Sequence, residues 1–297
     1  MKNQVFTIAA LLVFITSCSN QSTVTEKEKS TPTTTVTTDS SKLTTDAPKK
    51  MASAAEILSR KQVPVLCYHH IRTAPKPGKP LNLYEVTLAD FKDQMKALAD
   101  SGYKTITTDQ LYDYLAYGSP IPEKPVMITY DDTDEEQFTM AKPEMDKYGF
   151  KGVYFIMTIS MNRPRYMTKE QIKQLSDEGH VIASHTWDHS RVDRYKYENT
   201  IEEGGRKKVV NDWDQQLAKT KTKLEEITGK PVEYFAYPFG IWSKEGLPEI
   251  EKRGYKMAFQ LATARDSDQP LYTVRRILVA PNWSGERMLK SMNSSFK

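Results

Sequence analysis

Pro125-Val126-Met127-Ile128-Thr129-Tyr130-Asp131-Asp132 is a continuous apolar run that ends on two adjacent carboxylates. A short strand of a parallel sheet reads this way, because both of its faces are covered and every side chain meets an apolar layer. Further candidate strands occupy 63–68, 104–107, 152–158, 180–183, 232–236, 256–261 and 276–280, most of them short continuous apolar runs. Helical patterns lie between them. Thr87 precedes 88–99 with Gly102 beyond, Thr108 precedes 111–117 with Gly118 beyond, and Thr168 with Gln171 forms a capping box before 172–177. The stretch 209–228, ending before Gly229, is the longest helix expected. Strands alternating with helices over this length predict an α/β fold, either a (β/α) barrel or a doubly wound sheet. In both, functional groups gather at the carboxyl ends of the strands.

Three segments sit at such ends: Asp131-Asp132, His185-Thr186-Trp187-Asp188-His189, and Tyr237-Pro238-Phe239-Gly240. All five histidines lie in two short segments, His69-His70 and 180–189. A carboxylate with two neutral imidazoles is a three-ligand set for zinc or a similar divalent ion, with positions left open for water and substrate. The four-residue spacing of His185 and His189 would bring both to one side of a helical turn. Adjacent carboxylates at a strand end point in opposite directions, so one can bind metal while the other acts as general base. The same alternation puts His69 and His70 on opposite faces and leaves open which of them faces the site.

Residues 1–17 have a basic start and an apolar stretch at 6–15 too short to span a bilayer, followed by Ile15-Thr16-Ser17-Cys18. This resembles a bacterial lipoprotein signal. It implies lipid on Cys18 and a position in the bacterial cell envelope, on the outer membrane or the cell surface, facing the periplasm or the exterior. Residues 18–50, rich in Ser and Thr, have the composition of a disordered tether and leave 51–297 as one catalytic domain. With Cys18 lipidated, Cys67 is left alone in an apolar run and reads as a small buried side chain rather than a nucleophile. A net charge of +4, with basic and acidic residues interspersed, argues against a nucleic-acid partner. Arg206-Lys207-Lys208 is expected on the solvated side of a helix, and a monomer is expected.

Thr129-Tyr130-Asp131-Asp132 resembles the Thr-Phe-Asp-Asp motif of the polysaccharide deacetylase family (NodB-like, carbohydrate esterase 4). Ser184-His185-Thr186-Trp187-Asp188-His189 resembles its His-(Ser/Thr)-x-x-His motif, and Phe235-Ala236-Tyr237-Pro238-Phe239-Gly240 is similar to its third. The resemblance runs from about Val63 to Ala280. It implies a distorted (β/α)7 barrel and a metal-dependent hydrolase that acts on an N-acetylated polysaccharide with one divalent ion, zinc before cobalt or nickel. It also implies Asp131 as base and Asp132, His185 and His189 as metal ligands. Phe239 follows the third of these strands, so its backbone N–H is the candidate oxyanion donor.

The departures narrow the subfamily. The usual Gly after the acid pair is Thr133, the usual base-orienting Arg of the third motif is Ala236, and no Asp-x-x-Asp-Trp or C-terminal Leu-x-His motif is apparent. Val65-Leu66-Cys67-Tyr68-His69-His70-Ile71 instead stands ahead of the acid pair, an arrangement similar to the poly-N-acetylglucosamine deacetylases of biofilm formation. This implies His69 rather than His70 as general acid and poly-β-1,6-N-acetylglucosamine as substrate. Peptidoglycan, chitooligosaccharides and acetylated xylan are the alternatives, and an inactive glycan-binding protein is the remaining reading. Val274-Arg275-Arg276-Ile277-Leu278 resembles the Pro-Arg-Ile-Leu ending of those enzymes, and Arg275 or Arg276 is a candidate to replace the missing Arg. Asp134, Glu135 and Glu136 read as an exposed acidic loop, Asp188 as a turn cap or a residue facing away, and Asp266 and Asp268 as a solvent loop. Trp187, Trp242 and Trp283 suit either sugar stacking or packing.

Overall fold

The computed structural model describes residues 50–75 and 78–296; the leader, Cys18 and the Ser/Thr-rich stretch to residue 49 lie outside the described residues. Its strands are β1 (Val65–Tyr68), β2 (His70–Arg72), β3 (Glu85–Thr87), β4 (Lys104–Thr105), β5 (Pro125–Tyr130), β6 (Gly152–Ile156), β7 (Val181–Ser184), β8 (Asn199–Glu203), β9 (Arg206–Val210), β10 (Tyr234–Ala236), β11 (Met257–Gln260), β12 (Val274–Arg275) and β13 (Ile277–Leu278). The main sheet runs β12-β11-β10-β7-β6-β5-β1-β13, with every pair parallel and β4 a short addition on β5. Its two edges are one stretch of chain interrupted at Arg276. Val274 and Arg275 pair with β11, whereas Ile277 and Leu278 pair with β1. That segment closes the sheet, which makes it the seven-stave barrel implied by the resemblance.

Strand alternation divides the apolar residues between two layers. Val65, Met127, Val153, Phe155, Ala183, Ala236, Met257 and Phe259 are buried in one cluster that fills the barrel. Leu66, Tyr68, Ile128, Tyr130, Tyr154 and Ile182 take the other face and pack on helices such as Leu88–Asp100 and Lys169–Asp177. The caps follow the sequence reading at Thr87 and Thr168. The third helix, Thr108–Tyr117, is capped one residue earlier than expected, by a box of Thr107 and Gln110.

The basic run does not lie on a helix. Arg206–Val210 pairs antiparallel with Asn199–Glu203 across Gly204-Gly205, whose φ angles of 61° and 74° suit a two-residue hairpin turn closed to most other residues. Helical structure begins only beyond this hairpin, as a π-helical turn at Asp214–Ala218 continued by Lys219–Thr228. The Gly-Gly pair was the available signal for the hairpin. The parallel pair β2–β3 was likewise not anticipated.

Gly285 opens the C-terminal helix Gly285–Ser295 in close contact with Leu88–Asp100. A Cβ there would stand 2.5 Å from Ala97 Cβ and 2.7 Å from the Asp93 carbonyl oxygen. Gly285→Ala is expected to destabilise the fold by about 1–3 kcal/mol, as overpacking does, and to lower the calorimetric midpoint by roughly 3–10 °C. An unchanged midpoint would show that the two helices part without cost.

Candidate active site

The Asp131 N–H donates to the Tyr68 carbonyl at 3.0 Å, which extends the β1–β5 ladder to the barrel mouth. The side chain of Asp131 shares the inward face of Met127 and Thr129. Left-handed φ angles at Asp132 (75°) and Thr133 (71°) then turn the chain and carry the second carboxylate away from the first. Both oxygens of Asp131 are engaged by Arg276: Nη1 donates to Oδ1 at 2.6 Å and Nη2 to Oδ2 at 2.8 Å, with both side chains buried. Arg275 turns instead to Gln62 and the Ser295 carbonyl. Of the two candidates, Arg276 therefore contacts the first acid. Burial pushes the pKa of Asp131 up, but the Arg276 guanidinium outweighs it and holds the carboxyl well below the usual range.

Asp132 Oδ1 lies 3.5 Å from His185 Nε2 and 3.4 Å from His189 Nε2. Donor atoms around a tetrahedral divalent ion at ~2.1 Å stand ~3.4 Å apart, so these three atoms fit a single ion. Asp132 Oδ1 and His185 Nε2 are moreover buried without a hydrogen-bond partner, as expected of groups aimed at a cation. The imidazoles do not meet on a helical turn. His185 to His189 is a loop in which Thr186 (φ 68°) and His189 (φ 66°) are left-handed, and the Thr186 hydroxyl accepts from the His189 N–H at 2.9 Å. His185 Nδ1 donates to the Ala236 carbonyl at 2.8 Å, which leaves Nε2 as the lone-pair nitrogen facing Asp132. Burial pulls His189 down to about 4, so it is neutral at pH 7, the form that can ligate a metal.

Cys67, His69 and Asp131 form a second cluster of ligand types. It offers no free anionic donor, because Arg276 holds both Asp131 oxygens and burial pushes the Cys67 thiol up. Its arrangement separates the two candidate histidines. Cys67 pairs with Thr129 across β1 and β5, so positions 67 and 69 share the inward face with 129 and 131. His69 Nε2 lies 3.9 Å from Asp131 Oδ2 under the ring of Tyr84, and burial lowers its pKa against the opposing pull of Asp131 and Asp132.

His70 points the other way, onto the Asp134 carboxylate. Arg72, on the same small sheet, takes Glu136. The segment after the acid pair is therefore not the exposed loop expected: Asp134 is buried and Glu135 and Glu136 are half-buried, with β2 supplying partners to Asp134 and Glu136. His180 lies outside the site, at the start of β7, where it accepts from the Gly152 N–H. Asp188 caps a turn by accepting from Ser190 N–H, and Asp266 accepts from the backbone of its own loop. Trp242 and Trp283 pack on the core, whereas Trp187 is half-buried in the histidine loop. Phe239 takes φ 59° and leaves its ring 55% exposed above His189.

Two glutamines escaped the sequence reading. Gln137 Nε2 donates to the carbonyls of His69 and Asp131. Gln216 Oε1 accepts from the N–H groups of Trp187 and Asp188 at 3.0 and 3.3 Å, and its Nε2 donates to Asp188 Oδ1 at 2.8 Å. Each sits in a π-helical turn, Gln137–Ala141 and Asp214–Ala218, a wide turn frequent at functional sites. No single-sequence signal distinguishes either from a surface glutamine.

Residues 118–258 match the family profile described as Polysaccharide deacetylase. YxkH of Bacillus subtilis (strain 168) is 28% identical over 225 residues, 75% of this chain and 74% of that protein. The poly-beta-1,6-N-acetyl-D-glucosamine N-deacetylase of Staphylococcus aureus (strain N315) is 25% identical over 254 residues, 79% of this chain and 83% of the relative. The solved structure of Streptococcus pyogenes deacetylase PplD, in complex with acetate, matches with a TM-score of 0.69 over 78% of this chain and 98% of that one; at 22% identity this is a likeness of fold. The matching profile and both relatives relate this chain to the polysaccharide deacetylases, hydrolases of amide bonds.

Gln216→Leu removes the acceptor that fixes the histidine loop while leaving every donor atom of the Asp132, His185 and His189 set in place. Zinc affinity, measured by chelator competition, is expected to fall about 10–100-fold, as for other outer-shell losses. An unchanged affinity would show that the loop holds its shape without Gln216.

Proposed function

We propose that this protein removes N-acetyl groups from an N-acetylglucosamine polymer, with poly-β-1,6-N-acetylglucosamine as the first candidate. The observation that carries the reading is the division between the two aspartates: Arg276 takes both oxygens of Asp131, whereas Asp132 Oδ1 meets His185 and His189. A divalent ion held by Asp132, His185 and His189, zinc before cobalt or nickel, supplies Lewis-acid activation of the acetyl carbonyl and of the attacking water. Asp131, kept ionised by Arg276, accepts the proton as water adds to the carbonyl carbon. The backbone N–H of Phe239 donates to the developing oxyanion. His69, beside Asp131, protonates the nitrogen as the C–N bond breaks, which yields acetate and a free amine.

The name of the Staphylococcus aureus relative and the position of His69 ahead of the acid pair support the β-1,6-linked polymer. The leader-like start and Cys18 support a lipid tether in the cell envelope. Zinc-loaded protein is expected to release acetate from β-1,6-linked N-acetylglucosamine oligomers. Release only from peptidoglycan fragments, chitooligosaccharides or acetylated xylan would overturn the substrate. Asp131→Asn is expected to keep its zinc and lose turnover by about 10²–10⁴-fold, whereas loss of zinc would exchange the roles of the two acids. His69→Ala should impair amide hydrolysis more than ester hydrolysis, since an alcohol leaves with less help from an acid; equal impairment would remove His69 from the acid role.

A further inference from the structure

Arg276 fixes the side chain of Asp131 by both of its oxygens. His69 has no such anchor. Its ring makes only long polar contacts, Nε2 to Asp131 Oδ2 at 3.9 Å and Nδ1 to Cys67 Sγ at 3.9 Å. An imidazole held so loosely takes its position from its backbone, and residue 69 lies between β1 and β2, outside both strands.

A continued parallel ladder would supply N–H donors to the carbonyls of His69 and Asp131 from neighbouring strands. Here the last rung runs from Asp131 N–H to the Tyr68 carbonyl, and the left-handed turn at Asp132 and Thr133 carries the following N–H groups away. Gln137 stands in for them. Its Nε2 donates to both carbonyls, at 2.9 Å to that of His69, which accepts from no other group among the described residues. One amide therefore ties the strand end that carries His69 to the strand end that carries Asp131. Gln137 is itself fixed: it is fully buried, its N–H donates to the Asp134 carbonyl at 3.1 Å, and its carbonyl accepts from Lys142 N–H, the bond that closes the π-helical turn. Asp134 is held in turn by His70.

Resting on the deacetylase reading, we propose that Gln137 is a positioning residue: its amide holds His69 in register with Asp131, so that acid and base address the same acetamide. The two partners do not depend on it equally. Asp131 keeps two further anchors, Arg276 and the rung to Tyr68, whereas the His69 carbonyl keeps none. Loss of the amide therefore falls on protonation of the departing nitrogen more than on the attack of water. An ester with a good leaving group needs no such proton and is the natural control.

The test uses the full-length zinc-loaded protein and its Gln137→Met variant, which keeps the length of the side chain and removes both donors. Acetate release from N-acetylglucosamine oligomers is compared with hydrolysis of p-nitrophenyl acetate. In Gln137→Met, kcat on the oligomer is expected to fall about 10–100-fold, as for a small displacement of a reacting group, with KM and zinc affinity close to the parent's and ester turnover much less affected. Equal losses on the two substrates would overturn the positioning role, because Gln137 would then support the mouth as a whole. An unchanged kcat, or a change confined to KM, would overturn it as well. If Gln137→Met does not fold, Gln137→Asn, one methylene shorter, keeps an amide in place and carries the same comparison with a smaller expected loss. Hydrogen exchange separates this from the deacetylase reading. If the parent releases no acetate from any oligomer, that reading falls, while faster exchange of the 68–71 amides in the variant still upholds the tie and unchanged exchange overturns it.

Discussion

The buried pair of Arg276 and Asp131 is the interaction on which the barrel mouth depends. Bringing two charges out of water costs several kcal/mol for each ion and is offset only by close, saturated geometry. The guanidinium meets both carboxylate oxygens, and its Cζ lies 5.2 Å from the centre of the Phe155 ring in the barrel. Arg276 occupies the break between β12 and β13, so the same residue sits at the seam that closes the sheet and holds the first acid of the site. Removing either partner would leave a buried, unpaired charge, a loss on the order of 3–5 kcal/mol.

Backbone strain concentrates around that pair. Eight non-glycine residues have positive φ among the described residues, and five of them, Asp132, Thr133, Thr186, His189 and Phe239, fall in the three loops at the barrel mouth. Such residues cost on the order of 1–3 kcal/mol each and persist where the surroundings over-determine them. Thr133 is the clearest case, because a β-branched side chain occupies a left-handed position where the family usually has glycine. Its Oγ1 accepts from Met157 N–H at 2.8 Å and its carbonyl accepts from Met167 N–H at 2.9 Å. These bonds offset the strain, so the departure from glycine leaves Asp132 facing the histidines. Gln137 and Gln216 serve the same end by satisfying backbone groups that the sharp turns leave without ladder partners.

Local chemistry made much of this legible. All eight candidate strands formed, most of them because covered parallel strands leave a continuous apolar trace, and Thr87 and Thr168 capped helices because a hydroxyl before a helical pattern has a local acceptor role. Where sequence reasoning failed, a competing local signal or a distant partner had intervened. Gly204-Gly205 turned a basic run into a hairpin, and β2 drew Asp134 and Glu136 inward through His70 and Arg72.

The sequence by itself determined the alternating α/β order, the acid pair at a strand end and the histidines that meet it, since each is written in residue type and short-range spacing. Which histidine joins Asp131, which arginine replaces the absent one, and which glutamines fix the loops were decided only by tertiary structure. These choices turn on strand register, on the closure of β13 against β1 and on contacts between residues far apart in the chain. A one-residue slip of register reverses every facing side chain, and no pattern within a single strand records its neighbour's phase.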